Sequence, residues 1–212
     1  MVSARQFEFI GGHPALDFTN TVAWETAGSV NDRLRAFTDV VAWGAACRVV
    51  SAAEATALRS RAAREPVRAG EALGHATAVR RLLHDVFGAL AVGRTPSEVQ
   101  RTAFANAVRE AAQHLDIVWH RGRAVWRVDE HALTLVVHRV LWVAAALVAS
   151  NDAARVGICG NPECGWLYLD ATKNHSRRWC SMSDCGARDK ARRYYRRVTR
   201  ARRQRRQRGK RS

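Results

Sequence analysis

The sequence predicts a mainly α-helical fold with a small β-sheet or hairpin, followed by a cysteine-containing module and a basic C-terminal helix. Three observations predict it. Apolar residues recur at helical spacing through most of residues 38–150. Two short runs rich in β-branched and aromatic residues flank a glycine turn near residue 122. Four of the five cysteines lie within residues 159–185, directly before an arginine-rich end.

The N-terminal residues are predicted to form a short strand and then helices. Residues 6–10 alternate phenylalanine with polar side chains, which favours a strand. Pro14 suits the first turn of a helix that reaches about residue 24. A further helix is predicted to begin at Thr38 or Asp39 and to continue to residue 49, with Cys47 packed on its apolar face.

Capping motifs set the limits of the next helices. Ser51 and Glu54 form a capping box that opens a helix ending before Pro66, and a longer helix is predicted over residues 70–92. The run Thr95-Pro96-Ser97-Glu98 is a second box, with proline in the first turn. It predicts a helix that reaches about residue 114.

Two short strands and a central helix come next. Residues 116–120 and 124–128 flank Gly122 and predict a β-hairpin, which the N-terminal strand is expected to join. Asp129 is predicted to cap a helix that continues to about residue 150. Because this helix is apolar on nearly all sides, we expect it at the centre of the helical domain. The domain boundary is predicted at Asn151-Asp152.

The clustered cysteines have the spacing C-x4-C-x15-C-x4-C, and the ligands they offer are Cys159, Cys164, Cys180 and Cys185. Four thiolates in two close pairs suit one tetrahedral Zn²⁺, and a complete set of four protein ligands makes such a zinc structural. Two disulfides are the alternative. No secretory leader precedes the cysteines, which favours a reducing, cytoplasmic location and therefore the metal. His175 is an alternative ligand, although four cysteines already complete the shell.

Around these ligands the module is predicted to be treble-clef-like, while an ordinary zinc ribbon stays open as an alternative. Residues 166–169 and 178–180 are expected to pair as a hairpin across the loop between them. Ser183 or Asp184 then begins a helix, which places Cys185 in its first turn. From Ala187 this helix carries a narrow apolar stripe that is expected to pack on the module.

The positive charge of the chain is concentrated in its last third. The whole sequence has a net charge of +16; residues 153–212 hold 18 Lys+Arg against 4 Asp+Glu, and residues 1–152 hold 17 against 15. A basic, metal-held terminal module is typical of a nucleic-acid binder. A membrane partner is not predicted, because no apolar run is long enough to span a bilayer and the basic residues lack an apolar face for insertion.

The residues predicted to contact phosphate or bases lie in the spacer between the cysteine pairs and in the basic helix. They are Arg177, Arg178, Arg188, Lys190, Arg192, Arg193, Arg196, Arg197 and Arg200. Arginine can donate two parallel hydrogen bonds to phosphate or guanine, and a helix of about 20 residues spans about 30 Å, nearly one turn of duplex DNA. Like charges repel along residues 201–212, which are expected to be disordered until they meet phosphate.

A second candidate site lies on the first helix. His13, Asp17, Asn20 and Trp24 fall at spacings of 4, 3 and 4 residues, so they share one face next to a Gly-Gly turn. A polar and aromatic stripe of this kind predicts a small-molecule pocket. The alternative is that the polar members satisfy backbone groups while Trp24 packs in the core. The sequence contains no nucleophile–base pair, phosphate-binding loop or catalytic metal motif, so no enzyme is predicted.

Several motifs resemble known families. The segments Cys159-Gly160-Asn161, Tyr168-Leu169-Asp170, Arg178-Trp179-Cys180-Ser181-Met182 and Cys185-Gly186-Ala187-Arg188-Asp189-Lys190 resemble the CGNR zinc finger of bacterial transcription regulators, with Ala187 where that family usually has Asn. The run Gly11-Gly12-His13-Pro14-Ala15-Leu16-Asp17 resembles the start of the ABATE domain, whose role is expected to be sensory and linked to stress. These resemblances divide the chain into an ABATE-like domain (1–152), a CGNR finger with its basic helix (153–200) and an arginine-rich tail (201–212).

Together these features predict a bacterial transcription regulator that binds DNA through the zinc module and senses a ligand or assembles through its N-terminal domain. A homodimer that reads two half-sites is compatible with this prediction. A sequence-tolerant, ribosome-associated RNA binder is the alternative, because arginine-rich helices and aromatic stacking also suit RNA. A protein-interaction module with a localising basic tail is the third hypothesis. Replacement of Cys180 by Ser is expected to unfold the terminal module and to leave residues 1–150 folded.

Overall fold

The computed structural model describes residues 7–24, 32–128 and 132–208. Within these ranges the helices are α1 (Pro14–Thr19), α2 (Phe37–Ala46), α3 (Ala52–Arg64), α4 (Pro66–Ala91), α5 (Glu98–Ala112), α6 (Leu135–Val148) and α7 (Ala187–Arg208). The strands are β1 (Leu115–His120), β2 (Arg123–Val128), β3 (Val156–Ile158) and β4 (Leu167–Leu169), which form two separate antiparallel pairs. The predicted fold class, mainly helical with a small β component, is confirmed.

Helix α6 lies at the centre of the helical domain, as its apolar sequence predicts. Its residue Val140 is fully buried, and α1, α2, α4 and α5 pack around it. One continuous apolar core includes Trp43 of α2 and Leu83 of α4, and it extends to Val156 and Leu167 of β3 and β4. The zinc module therefore shares a core with the helical domain. None of the helices in the described ranges has both the length and the apolar character that crossing a bilayer requires.

Side-chain caps begin α3 and α5. The capping box at α3 is confirmed: Ser51 Oγ accepts from the Glu54 amide at 3.2 Å, and Glu54 Oε2 accepts from the Ser51 amide at 2.7 Å. At α5 the predicted box beginning at Thr95 is wrong. Ser97 and Gln100 form the reciprocal pair there, at 3.3 and 2.8 Å, so the helix begins at Glu98 and Thr95 stays in the preceding loop.

Two helices begin earlier than predicted. Helix α2 begins at Phe37, because the carboxylate of Asp39 lies in the first turn and accepts from the amides of Arg35 and Ala36 at 2.9 Å each. Helix α4 begins at Pro66, four residues before the predicted start. A proline costs nothing in the first turn, since the amide it lacks has no partner inside a helix.

The N-terminal predictions are partly wrong. Residues 7–10 form no strand and do not join the β1–β2 hairpin; Phe7 instead packs into the helical core. Helix α1 ends at Thr19 rather than near residue 24, because Asn20 turns away to bond with the backbone of Leu167. Helix α6 begins at Leu135, and the predicted cap Asp129 lies outside the described residues.

The β1–β2 hairpin is confirmed. All six residues of β1 pair with β2, from Leu115 opposite Val128 to His120 opposite Arg123. Arg121 and Gly122 both take positive φ, at 49° and 77°. Two successive residues of this kind make the two-residue turn that suits the twist of a hairpin.

The strand pairing predicted within the zinc module is wrong. Strand β4 pairs with β3, on the other side of the first cysteine pair, rather than with residues 178–180. The loop after β4 is shaped by Asp170, whose carboxylate accepts from the amides of Thr172 and Arg177 at 2.9 Å each. Residues 178–180 then pass the first cysteine turn, where the Gly160 amide donates to the Arg178 carbonyl at 2.8 Å. A π-helical turn (Met182–Gly186) leads directly into α7.

Candidate metal centre and nucleic-acid helix

The four clustered cysteines converge on one point. Their Sγ atoms all lie within 4.8 Å of one another, and Cys164–Cys180 and Cys180–Cys185 are each 3.6 Å apart. A tetrahedral zinc with bonds of about 2.3 Å places its sulfur ligands about 3.8 Å apart. The donor set and its spacing therefore fit one Zn²⁺ as predicted. His175 is exposed and lies outside this cluster.

The thiols need a cation in order to ionise together. Hydrogen bonds from Cys164 and Cys180 lower the pKa of the Cys159 thiol to about 2. The Cys159 thiolate in turn raises the pKa of Cys164 to about 12 and also raises the pKa of Cys180. In the absence of a cation, ionisation of Cys159 therefore opposes ionisation of Cys164 and Cys180. A bound Zn²⁺ supplies the positive charge that lets all four sulfurs act as thiolates.

Two tight turns hold the ligands. Cys159 and Cys164 lie in the turn between β3 and β4, where the Cys159 amide donates to the Trp166 carbonyl at 2.8 Å. Gly165 takes a φ of +67°, a left-handed conformation that favours glycine. Cys180 precedes the π-helical turn that contains Cys185. Three of the ligands are buried, and Cys164 is half-buried.

Asn161 connects the metal cluster to α7. Its side chain is buried; Nδ2 donates to Cys185 Sγ at 3.5 Å, and Oδ1 accepts from both terminal nitrogens of Arg192 at 3.1 Å each. Asn161 belongs to the motif Cys159-Gly160-Asn161, but the sequence predicted no role for its side chain. The signal that was available is its place in the first ligand turn, two residues after Cys159.

Profiles of two known families match the chain. One is ABATE, described as a putative stress-induced transcription regulator, and it matches residues 12–151. The chain belongs to the ABATE family. The other profile is the CGNR zinc finger, which matches residues 155–198. We refer to these two regions as the ABATE domain and the CGNR finger, and their order agrees with the resemblance of the sequence motifs. No curated protein matches the chain.

The basic residues of α7 up to Arg200, whose side chains the structure describes, fall into two sets. In the first set, Arg188 and Arg193 pair with acidic residues four positions before them, and Arg192 binds Asn161. The second set, here called the free cations, is exposed and has no ion pair within the described part of the chain. It consists of Lys190, Arg196, Arg197 and Arg200. The helix thus has one engaged set near the finger and one set open to a partner.

The two spacer arginines have different surroundings. Arg177 donates to four backbone carbonyls, among them those of Ile10 and Cys180 at 2.7 Å each. Its guanidinium therefore ties the finger to the N-terminal segment. Arg178 is exposed, and its guanidinium lies 5.9 Å from the centre of the Trp179 ring. Of the two, Arg178 is the one that can reach a phosphate without breaking internal hydrogen bonds.

The apolar stripe of α7 is not packed on the finger. Ala187 and Ala191 are exposed, and Tyr194 is 55% exposed. The prediction that the stripe attaches the helix is wrong. The attachment is made instead by Arg192, which is not a stripe residue, through its hydrogen bonds to Asn161.

The residues predicted to line a pocket lie at the seam between the ABATE domain and the CGNR finger. Asn20 Oδ1 accepts from the Leu167 amide at 2.9 Å, and its Nδ2 donates to the Leu167 carbonyl at 2.8 Å. Asp17 Oδ1 accepts from the Gly11 amide at 2.7 Å, and burial raises the pKa of this carboxyl to about 6. His13 caps α1, with Nδ1 accepting from the Ala15 amide at 3.2 Å.

Trp24 lies on the same seam. Its ring stacks on His84 with the ring centres 3.8 Å apart, and His84 Nε2 hydrogen-bonds the Gly165 carbonyl at 2.9 Å. A Cβ atom on Gly165 would come within 2.7 Å of the Trp24 Cβ, so only glycine fits between them. Trp24 also lines a cavity of about 640 Å³, together with Arg80 and Arg81 of α4. His13, Asp17 and Asn20 do not line this cavity.

Further hydrogen bonds cross the seam. The Leu169 amide donates to the Gly11 carbonyl at 2.7 Å, and Trp166 Nε1 donates to the Val22 carbonyl at 2.8 Å. With the bonds of Asn20 and the shared apolar core, these contacts hold β4 of the finger against α1 and the segment after it. The finger is therefore a docked part of the protein and not a tethered module.

Proposed function

We propose that this protein is a bacterial transcription regulator that binds duplex DNA through α7, with the CGNR finger as its metal-held scaffold and the ABATE domain as its regulatory part. The observation that carries the proposal is the segregation of charge. Residues 153–212 hold 18 Lys+Arg against 4 Asp+Glu, and the free cations project from a 22-residue helix anchored at the zinc cluster. The proposal includes a cytoplasmic location on the chromosome and assigns the chain no catalytic activity.

Helix α7 suits a DNA groove by its length. At about 1.5 Å per residue, 22 residues extend about 33 Å, close to one turn of the duplex. The free cations and Arg178 would contact phosphate first. Arg188 and Arg193 can join them, because an exposed ion pair contributes only about 0–1 kcal/mol and its arginine can exchange a carboxylate for a phosphate. Arg192, by contrast, positions the helix.

Selection from a random duplex pool tests this function. The zinc-loaded full chain is mixed with the pool at about physiological salt, and bound sequences are recovered and sequenced. We expect an enriched motif. We also expect affinity that falls steeply with salt, with a log–log slope near −0.9 for each phosphate neutralised. Absence of a motif, together with equal competition by single-stranded RNA, would contradict duplex recognition.

One observation favours RNA as a second candidate partner. Tyr194 and Tyr195 are 55% and 68% exposed on α7, and the Arg197 guanidinium lies 5.9 Å from the Tyr194 ring centre. Exposed aromatic rings among arginines can stack on unpaired bases. Replacement of both tyrosines by leucine separates the two functions: RNA affinity would fall about tenfold or more, whereas phosphate-driven duplex binding would change little.

The regulatory input is proposed to enter through the cavity beside Trp24. The Arg81 guanidinium lies 5.8 Å from the Trp24 ring centre and is exposed at the cavity wall, which suits a small aromatic anion. Because Trp24 also packs on Gly165 of the finger, such a ligand would act on the docking of the finger. Stabilisation of the full chain by aromatic carboxylates, and its loss in Arg81→Ala, is the measurement.

A further inference from the structure

The β1–β2 hairpin stands apart from the core of the ABATE domain. No described side chain between Leu115 and Val128 belongs to the continuous apolar core or packs against it. Ile117 is 50% exposed and Trp119 is 75% exposed. A two-stranded hairpin is at best marginally stable alone in water. A hairpin with all six residue pairs formed and large apolar side chains uncovered therefore indicates a partner.

The register gives the hairpin two different faces. On β1, Leu115, Ile117 and Trp119 alternate with Asp116, Val118 and His120, so the two groups lie on opposite faces. The positions on β2 that pair with the first group are Val128, Trp126 and Ala124, all apolar. On the other face, Asp116 forms an ion pair with Arg127 at 3.1 Å, Val118 lies opposite Val125, and His120 lies opposite Arg123. We call the surface of Leu115, Ile117 and Trp119 the apolar face.

We propose that the apolar face docks on the same face of a second copy of the chain, so that the protein forms a two-fold dimer through its hairpins. The face has no charged residue, so it matches itself without repulsion and offers no cation to a phosphate. The arginines of the hairpin lie at its turn and on the opposite face. Residues 1–152 are also nearly neutral, with 17 Lys+Arg against 15 Asp+Glu, which allows two copies to approach at this end.

The dimensions of the face set the strength of the contact. Six residues of strand extend about 20 Å, and two strands with their side chains are about 10 Å wide. This footprint is well below the roughly 800 Å² that each partner buries in a stable specific complex. We therefore expect a reversible dimer with a dissociation constant in the range of tens of micromolar.

The position of the hairpin leaves the CGNR finger free. The hairpin precedes α6 in the chain and the finger follows it, and the 14 residues of α6 are about 21 Å long. The proposal rests on the uncovered face alone and does not depend on what α7 binds.

Sedimentation velocity of the zinc-loaded full chain tests the dimer. The protein is measured from about 1 to about 300 µM, a range that brackets the expected dissociation constant. About 0.5 M salt screens the repulsion between the basic ends. We expect the mass to rise from monomer towards dimer. Ile117→Lys places two like charges at the two-fold contact and should weaken the dimer at least tenfold. The matched control is Val125→Lys, because Val125 is 44% exposed on the opposite face of the same hairpin.

Three results would overturn the proposal. They are a monomer at all concentrations, equal weakening by both lysine variants, and an unchanged dimer in Ile117→Lys. Circular dichroism and zinc content confirm that each variant is folded. If Ile117→Lys misfolds, Trp119→Gln at the more exposed position replaces it. A variant that loses affinity for duplex DNA while the parent stays monomeric would make nucleic acid the occupant of the face.

Discussion

Asn20 contacts Leu167 as a neighbouring strand would, with one side-chain amide satisfying both backbone groups. Asn20→Ala leaves the buried amide and carbonyl of Leu167 without these partners, at a cost of about 1–3 kcal/mol each. We expect the free energy of unfolding in urea to fall by about 2–4 kcal/mol. Asn106→Ala is the matched control, since Asn106 is exposed and its side chain accepts from the exposed Arg109; its effect should stay below about 0.5 kcal/mol.

Asp17 gives the stability of the protein a pH dependence of known sign. Its folded-state pKa of about 6 lies above its ordinary value of 3.8. Between these values the folded state keeps a proton that the unfolded state has lost. The stabilisation that this proton on Asp17 gives the folded state is therefore fully present below about pH 4, and it is lost as the pH rises through 6. Asp17→Asn keeps an oxygen for the Gly11 amide and has no charge to bury.

The variant Asp17→Asn should therefore gain stability relative to the parent as the pH rises. At pH 7.5 the gain, measured against the difference between the two proteins at pH 4, should reach up to about 3 kcal/mol. Urea unfolding of both proteins across this range is the measurement. A difference that stays constant, or that shrinks with rising pH, would show that the carboxylate is not penalised by burial.

At the scale of single elements, α7 separates anchoring from contact. Arg192→Ala removes the hydrogen bonds to Asn161, which also bonds Cys185, so we expect faster loss of zinc to a chelator. Arg196→Ala removes an exposed cation without a partner in the finger. It should leave zinc loss unchanged and make the salt slope of DNA binding shallower by about 0.9. Faster zinc loss in Arg196→Ala together with an unchanged rate in Arg192→Ala would contradict the division of the basic residues into two sets.

The elements that the sequence predicted well are those with local signals. The capping box of Ser51 and the glycine turn of the β1–β2 hairpin act over a few residues, and the spacing of the four cysteines by itself indicates a zinc site. The pairing of β4 with β3 and the bond between Asn20 and Leu167 depend on segments that meet only in the folded chain. Asn20 and Leu167 are 147 positions apart, and a polar stripe on a helix suggests a pocket as readily as a docking seam. The structure describes α7 as helical to Arg208, and the disorder of residues 201–212 in the free protein stays a prediction.

At the scale of the whole molecule, the shared core couples the metal to the ABATE domain. Val156 and Leu167 belong to the same apolar cluster as α1, α2, α4 and α6. Structural zinc contributes a large folding energy, so its removal should be felt beyond the finger. After chelation we expect hydrogen exchange to speed up in α1 and α4 as well as in the finger. The sequence alone led to the simpler expectation that residues 1–150 stay folded when Cys180 is replaced.

The two expectations differ in one observable. If the finger unfolds separately, denaturation of the metal-free chain gives two transitions, and the helical domain keeps the exchange protection it has in the zinc-loaded protein. If the finger and the helical domain unfold cooperatively, the amides of Leu16 and Leu83 lose exchange protection together with those of β4. These two residues lie on the helices that face the finger.

The seam also limits how this protein can be recombined. The CGNR finger cannot be moved unchanged to another protein, because residues 166–169 need hydrogen-bond partners outside the finger. In this protein those partners are Asn20, Gly11 and Val22. Transplanting residues 153–212 onto an unrelated domain would expose the apolar side of Leu167 and orphan its backbone. Chimeras between relatives should fold only where the segment around α1 and the finger come from the same parent protein. These two segments should therefore change together in evolution.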